Sequence, residues 1–128
     1  MAASFSLKPA QRLRRNSDFL KIRRSGKPYR CRYFAMYSSI RTEDSADILC
    51  PRIGISASRR VGNAVFRNKA KRRFRELFRL HQHGIDPSAD ILLSIRQPSS
   101  QATYKELEQR FLHAVKFLGL RKKKDLGL

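Results

Sequence analysis

Apolar residues in the middle of the chain recur at the spacing of an α-helix. The pattern runs from near Asn63 to near His81, between Gly62 and Gly84, and it predicts one long helix. At about 100° per residue, the apolar positions fall within about 120° of arc. They are Phe66, Ala70, Phe74, Leu77 and Phe78. One face can therefore pack into a core while the opposite, polar face remains in solvent.

Two shorter helices are predicted, one before and one after the long helix. The first starts at Asn16 or Ser17, either of which is a good N-cap, and runs to about Ser25. The last begins after Thr103, which together with Glu106 has the spacing of a capping box. Its apolar stripe consists of Tyr104, Leu107, Phe111, Ala114, Val115 and Leu118.

Three segments have the alternation or the apolar run of strands, namely residues 29–38, 52–58 and 91–96. Ile48 and Leu49 are candidates for a strand that pairs with the second of them. In the first strand, alternation places Tyr33, Ala35 and Tyr37 on one face. The order of elements predicts an α+β fold, an α-β sandwich with one mainly antiparallel sheet of about four strands and three helices.

The length of 128 residues suits a single domain with one modest core. Residues 1–15 contain four basic residues and Pro9, and they are predicted to form a flexible basic arm. Residues 120–128 are predicted to be a basic tail after the last helix. We therefore expect one domain, residues 1–128, with charged extensions at both ends.

Positive charge dominates the composition. The chain has 29 Lys and Arg against 10 Asp and Glu, which gives a formal net charge of +19. The basic residues are densest along residues 58–79, where Glu76 is the only acid. Charge of this density favours an anionic partner, most simply a polyphosphate backbone, although a merely solvated basic face is the alternative. No apolar run approaches the ~20 residues that span a bilayer, so no membrane partner is expected.

The sequence contains no pattern typical of a catalytic site. It lacks a paired-carboxylate motif, a nucleophile elbow and a glycine-rich phosphate loop. Cys31 and Cys50 lack metal-ligand spacing, which favours reduced thiols and a cytoplasmic location. His81 and His83 are more typical of a last helical turn than of a metal site. We therefore predict no catalytic residue, no metal bound by the protein alone and no small-molecule substrate.

The basic segment resembles the arginine-rich signature of the bacterial ribonuclease P protein subunit. The matching residues are Arg59-Arg60-Val61-Gly62-Asn63-Ala64-Val65, then Arg67-Asn68 and Lys71-Arg72. The resemblance extends over roughly residues 12–118. The family often has arginine at the position of Lys69, where lysine keeps the charge but loses the guanidinium fork.

This resemblance implies a function and a topology. In the family, a catalytic RNA uses Mg²⁺ to cleave precursor tRNA and produce the mature 5′ end. The protein subunit binds that RNA and the 5′ leader of the precursor, so the catalytic groups are expected in the RNA. The family fold is ribosomal-protein-like, with a left-handed strand–helix–strand crossover around the basic helix, whereas the chain pattern alone would predict a right-handed one.

Two RNA-binding surfaces are expected. The polar side of the long helix and the turn before it should bind the catalytic RNA through Arg59, Arg60, Asn63, Arg67, Asn68, Lys69, Lys71, Arg72 and Arg75. Aromatic side chains that stack on unpaired bases should bind the leader through Phe19, Arg23, Tyr33 and Tyr37. Arg23 replaces a third aromatic residue of the family, and arginine can also stack.

Three other functions fit part of the pattern. A basic ribosomal or other structural RNA-binding protein would have the same size and charge. A nuclease acting alone would need clustered carboxylates for metal ions, which the sparse acids do not supply. A regulator that binds DNA is the weakest alternative.

Overall fold

The computed structural model of the protein describes residues 11–13, 16–41, 50–96 and 102–122. Within these ranges the chain forms three helices and four strands. In chain order they are α1 (Asn16–Arg23), β1 (Tyr29–Arg30), β2 (Phe34–Ile40), β3 (Arg52–Ala57), α2 (Ala64–His81), β4 (Ala89–Ile95) and α3 (Tyr104–Phe117). Short 3-10 turns at Arg59–Val61 and Gln82–Gly84 flank α2. None of the described helices is long and apolar enough to cross a membrane.

The four strands form one sheet in the order β1-β2-β4-β3. The pairs β1–β2 and β2–β4 are antiparallel, whereas β3 and β4 are parallel neighbours joined through α2. The predicted α+β fold with a mainly antiparallel sheet is therefore confirmed, and α2 is the helix of the crossover. The handedness of that crossover stays a prediction.

Different helices cover the two faces of the sheet. On one face, α2 and α3 pack over the main core, which includes Phe34, Met36, Phe74, Phe78, Ile91, Leu93 and Phe111. The other face has a smaller cluster in which α1 contributes Ile22, packed with Leu13 and Leu92. Because successive side chains of a strand point to opposite faces, β4 supplies Leu92 to one cluster and its neighbours to the other. Strand β4 is thus buried on both faces of the sheet.

Side-chain caps fix where the two long helices begin. The Asn63 side chain accepts a hydrogen bond from the Phe66 backbone N–H at 3.1 Å, and Thr103 does the same for Glu106 at 3.1 Å. Both starts agree with the sequence prediction. At the other end of α2, His81 lies in the last turn as predicted, and its Nε2 is 3.0 Å from Glu108 Oε2 on α3.

The prediction of one continuous strand over residues 29–38 is wrong. The chain turns at residues 31–33, where the Cys31 N–H donates to the Phe34 carbonyl at 3.0 Å, and β1 pairs back on β2. The turn resets the alternation of side chains. Tyr33 therefore packs against the main core and Tyr37 against the smaller cluster, not on one shared face as predicted.

The long helix departs from prediction at its first turn. Ala70, Phe74, Leu77 and Phe78 are buried as expected, but Phe66 is 54 % exposed. Periodicity gives the direction of a side chain around the helix axis, whereas burial also requires the core to extend that far. The core of this protein reaches α2 only from Ala70 onward.

Both charged extensions were predicted too long. Gln11 donates to the Pro51 carbonyl at 3.3 Å and to Gln82 Oε1 at 2.7 Å, so residues 11–13 belong to the folded domain. Leu120 is 1 % exposed, and the Lys122 N–H donates to the Gly84 carbonyl at 2.8 Å. The predictions for residues 1–10, 14–15 and 123–128, and for the strand at residues 48–49, lie outside the described residues.

A buried carboxylate joins three segments at one end of the sheet. Asp90 of β4 accepts from Arg41 at 2.6 Å and from Arg52 at 2.8 and 2.7 Å. Arg41 also donates to the carbonyls of Cys50 at 2.7 Å and Pro87 at 2.6 Å. The hydrogen bonds with Asp90 raise the pKa of the Arg52 guanidinium above its ordinary value. This network ties the end of β2 and the start of β3 to β4.

Asp90→Ala should lower the free energy of unfolding by about 3–5 kcal/mol, because two partly or fully buried guanidinium groups would lose their carboxylate. Urea unfolding measures the change. Glu76→Ala is the matched control, since it removes an acid from a half-exposed pair with Arg79 and should change the stability much less. Equal losses for the two variants would contradict a special role for Asp90.

Candidate nucleic-acid interface

The exposed side of α2 presents a row of cationic and amide side chains. Asn68, Lys69, Arg72 and Arg75 are exposed, and Lys71 is half-buried at the edge of the same side. No Asp or Glu occurs from Cys50 to Arg75, so no acid of this segment neutralises the row. A rigid helix therefore holds these groups at fixed spacing, ready for an anionic ligand.

The turn before α2 extends this row. Val61 is buried and anchors the 3-10 turn, whereas Arg59 and Arg60 are exposed. Gly62 has a φ of +134°, a backbone conformation that favours glycine, and its N–H donates to the Arg59 carbonyl at 3.1 Å. The two arginines are thereby brought next to the first turn of the helix.

The predicted residues of this surface have different local roles. Asn63 is exposed, but its side-chain oxygen caps α2, so substituting it would also affect the helix start. Arg67 is half-buried, and its Nε is enclosed without a hydrogen-bond partner among the described residues. Buried donors normally have a hydrogen-bond partner, so Arg67 is the cation of this surface whose buried donor lacks one within the described part of the chain.

Other cations of α2 serve the fold. Arg73 donates to the Ala102 carbonyl at 2.6 Å and connects α2 to the start of α3. Arg79 forms an ion pair with Glu76 on the same helix. Neither belongs to the predicted surface, so the helix separates structural cations from outward-facing ones. Charge along the sequence does not reveal this division, because both kinds are arginines.

On the opposite face of the sheet, α1 and β2 bring aromatic side chains together. Phe19 and Tyr37 are half-buried and pack against the smaller cluster. The Arg23 guanidinium carbon lies 5.9 Å from the centre of the Tyr37 ring, within the range of a cation–π contact. Three of the four residues predicted for the leader therefore form one partly accessible surface.

Tyr33 lies apart from this surface. Its hydroxyl donates to Glu106 Oε2 on α3 at 2.8 Å, and this hydrogen bond raises the pKa of Tyr33. The Arg32 guanidinium carbon lies 6.0 Å from its ring centre. The structure thus places Tyr33 beside α3, and the expected group of four residues reduces to Phe19, Arg23 and Tyr37.

An arginine-lined cleft was not predicted. It has a volume of about 630 Å³ and lies between the turn that joins β1 to β2, the ends of β3 and β4, and the 3-10 turn before α2. Its lining includes Arg30, Arg32, Arg60 and Arg96, and none of the described residues that line it is Asp or Glu. Three distant segments supply these side chains, so no local pattern in the sequence could have indicated the cleft. Arg60 belongs both to the cleft and to the turn that extends the α2 row.

The chain is similar to proteins of known family. A family model described as Ribonuclease P matches residues 7–119. The ribonuclease P protein component of Staphylococcus epidermidis is 36 % identical over 118 residues, covering 92 % of this chain and 98 % of that protein. The solved RNase P protein of Staphylococcus aureus has a TM-score of 0.75 at 33 % identity, covering 88 % and 98 %. The RNase P protein of Thermotoga maritima has a TM-score of 0.71 at 30 % identity, covering 83 % and 96 %.

The aromatic surface depends on a glycine in β3. A Cβ placed on Gly54 would lie 2.5 Å from Phe19 Cε1 and 3.1 Å from Leu13 Cβ. Gly54→Ala should therefore displace Phe19 and lower the free energy of unfolding by about 1–3 kcal/mol, measured by urea unfolding. Gly84→Ala is the control, because a Cβ there meets nothing within 4 Å. If the two variants were equally stable, Phe19 would not lie on β3.

Proposed function

The chain belongs to the family of bacterial ribonuclease P protein components, and from this premise we propose how its two surfaces divide the work. The protein is part of an RNA-based endoribonuclease of bacterial tRNA processing. In this proposal the α2 surface binds the catalytic RNA and the surface of α1 and β2 binds the 5′ leader of precursor tRNA, in the cytoplasm. Family membership decides against the alternative of a ribosomal protein.

The observation that supports the first contact is the exposed, acid-free row on α2 and its preceding turn. Structured RNA is recognised mainly through its shape, phosphates and 2′-hydroxyls, and arginine can bind a phosphate with two parallel hydrogen bonds. Arg72 and Arg75 are exposed on the helix, and Arg59 and Arg60 continue the row beyond its start. Because the buried side of α2 is locked in the core, the backbone that carries Arg72 and Arg75 does not need to be ordered on binding.

The second contact is supported by the pairing of half-buried rings with a nearby cation. A leader is single-stranded, so its bases can stack on aromatic side chains while arginine and lysine hold the backbone. Phe19 and Tyr37 offer rings, and Arg23 lies over Tyr37. The arginine-lined cleft would hold further phosphates of the RNA, and Arg60 belongs both to this cleft and to the turn before α2.

The role of this chain in the reaction is to bind and orient RNA. Several carboxylates are already engaged: Asp90 by Arg41 and Arg52, Glu76 by Arg79, Glu106 by Tyr33, and Glu108 by His81. Among the described residues, no three His, Cys, Asp or Glu side chains are grouped as metal ligands. We therefore assign the Mg²⁺ of the reaction to the RNA partner, where it would activate the attacking water.

The protein alone should not cleave precursor tRNA, but it should restore cleavage by the catalytic RNA at limiting Mg²⁺. The reason is that a net charge of +19 reduces the repulsion between two polyanions. Gel assays of cleavage across a Mg²⁺ series measure the effect.

More of the Arg72→Ala variant than of the unmodified protein should be needed for the same rescue of cleavage. Arg110→Ala makes the same charge change at an exposed position of α3 and should resemble the unmodified protein.

Turnover by purified protein without RNA, abolished by changing a single acid, would refute the assignment of catalysis to the RNA partner.

Tyr37→Ala should weaken binding of precursor tRNA to the assembled enzyme by about 1–3 kcal/mol, the range for loss of one stacked base. Binding of mature tRNA, which has no leader, should change little. Tyr33→Ala is a matched control, because it removes the same side chain beside α3. Equal losses for precursor and mature tRNA would mean that Tyr37 supports the fold or the catalytic RNA instead of the leader.

A further inference from the structure

Two apolar side chains lie exposed at the start of α2, between the Arg59–Arg60 turn and Lys69 along the chain. Phe66 is 54 % exposed and Val65 is 73 % exposed, both in the first turn of α2. Single exposed apolar residues are common on protein surfaces and need no explanation by themselves. The surroundings of Phe66, however, give its ring a specific use.

The ring is held in place by the backbone around it. A Cβ on Gly62 would lie 3.1 Å from Phe66 Cβ and 3.3 Å from its Cδ2, so the aromatic side chain lies directly against the glycine. The Phe66 N–H is bound by the Asn63 side chain at 3.1 Å, which fixes the backbone that carries the ring. One side of the ring is thus supported by the protein, while about half of the residue remains accessible.

Cations stand on both sides of Phe66 along the chain. Arg59 and Arg60 precede it and are exposed, and Lys69 follows it and is exposed beside the neutral amide of Asn68. No Asp or Glu occurs between Cys50 and Phe66, and the first acid after Phe66 is Glu76. A protein partner would find only two apolar side chains here, too few for a hydrophobic interface core. A nucleic acid would find a π-face for a base and guanidinium and ammonium groups for the adjoining phosphates.

We propose that Phe66 is a stacking site for one unpaired nucleobase of the catalytic RNA. The proposal rests on the proposed function of the α2 surface and adds a base contact to a surface otherwise suited to phosphates. Paired bases keep their faces inside the helix stack, so the ligand is a nucleotide in a loop, bulge or junction. Phosphates next to that nucleotide would lie within reach of the Arg59–Arg60 turn on one side and Lys69 on the other.

The test is the affinity of the full chain for the catalytic RNA across a salt series. Phe66→Leu, which keeps an apolar side chain without a ring, should weaken binding about 5- to 150-fold at every salt concentration. Because no charge is lost, the slope of log affinity against log salt should stay the same. Arg72→Ala should instead flatten that slope by about one unit.

Two further variants isolate the ring. Phe66→Tyr preserves an aromatic face and should bind nearly as well as the unmodified protein. Val65→Ala removes the more exposed apolar neighbour and should also bind normally. Since both positions are exposed, all of these variants should keep the thermal midpoint within a few degrees.

Chemical probing of the RNA with a base-specific reagent identifies the contact. One unpaired nucleotide should be protected by the unmodified protein and by Val65→Ala, and it should become reactive with Phe66→Leu. Affinity of Phe66→Leu within twofold of the unmodified protein, or a loss shared equally by Phe66→Tyr, would overturn the proposal. If the unmodified protein showed no salt-dependent binding to the catalytic RNA, the proposed function itself would fail, which is a separate result.

Discussion

The two-sided burial of β4 is the constraint on which the rest of the molecule depends. Ile91 and Leu93 face the main core under α2 and α3, and Leu92 faces the smaller cluster beside α1. Because the strand is covered on both faces, each face of the sheet can support one of the two surfaces proposed to bind RNA. The one carboxylate that this strand buries, Asp90, is matched by Arg41 and Arg52, as an ionised group away from water requires.

The basic residues that give the net charge of +19 are of two kinds, with different roles in the protein. Arginines such as Arg41 and Arg73 donate to internal acceptors and connect segments of the fold. Others, such as Arg59 and Arg72, are exposed on the turn and helix that face outward. Among the described residues, neither Arg59 nor Arg72 forms an ion pair with a carboxylate. The excess of basic residues therefore becomes a usable electrostatic surface on a rigid support.

The aromatic surface shows how packing and binding share residues. Phe19 lies over Gly54 and helps to attach α1 to the sheet, yet it remains half-buried with Tyr37 and Arg23. A ring that is fixed by packing loses little freedom when a base stacks on it. The same logic applies to Phe66, whose side chain lies against Gly62 at the start of α2. In both places a glycine makes room for an aromatic ring near the surface.

The sequence by itself determined the local features of this protein. Helical periodicity identified Phe74 and its buried neighbours, cap chemistry identified the starts at Asn63 and Thr103, and composition indicated an anionic partner. These properties depend on residues a few positions apart. Only the tertiary structure decided that Phe66 lies beyond the core and that Tyr33 lies beside α3. It also brought together the arginines of the cleft and the partners of Asp90, because those contacts join segments whose distance in space no local pattern encodes.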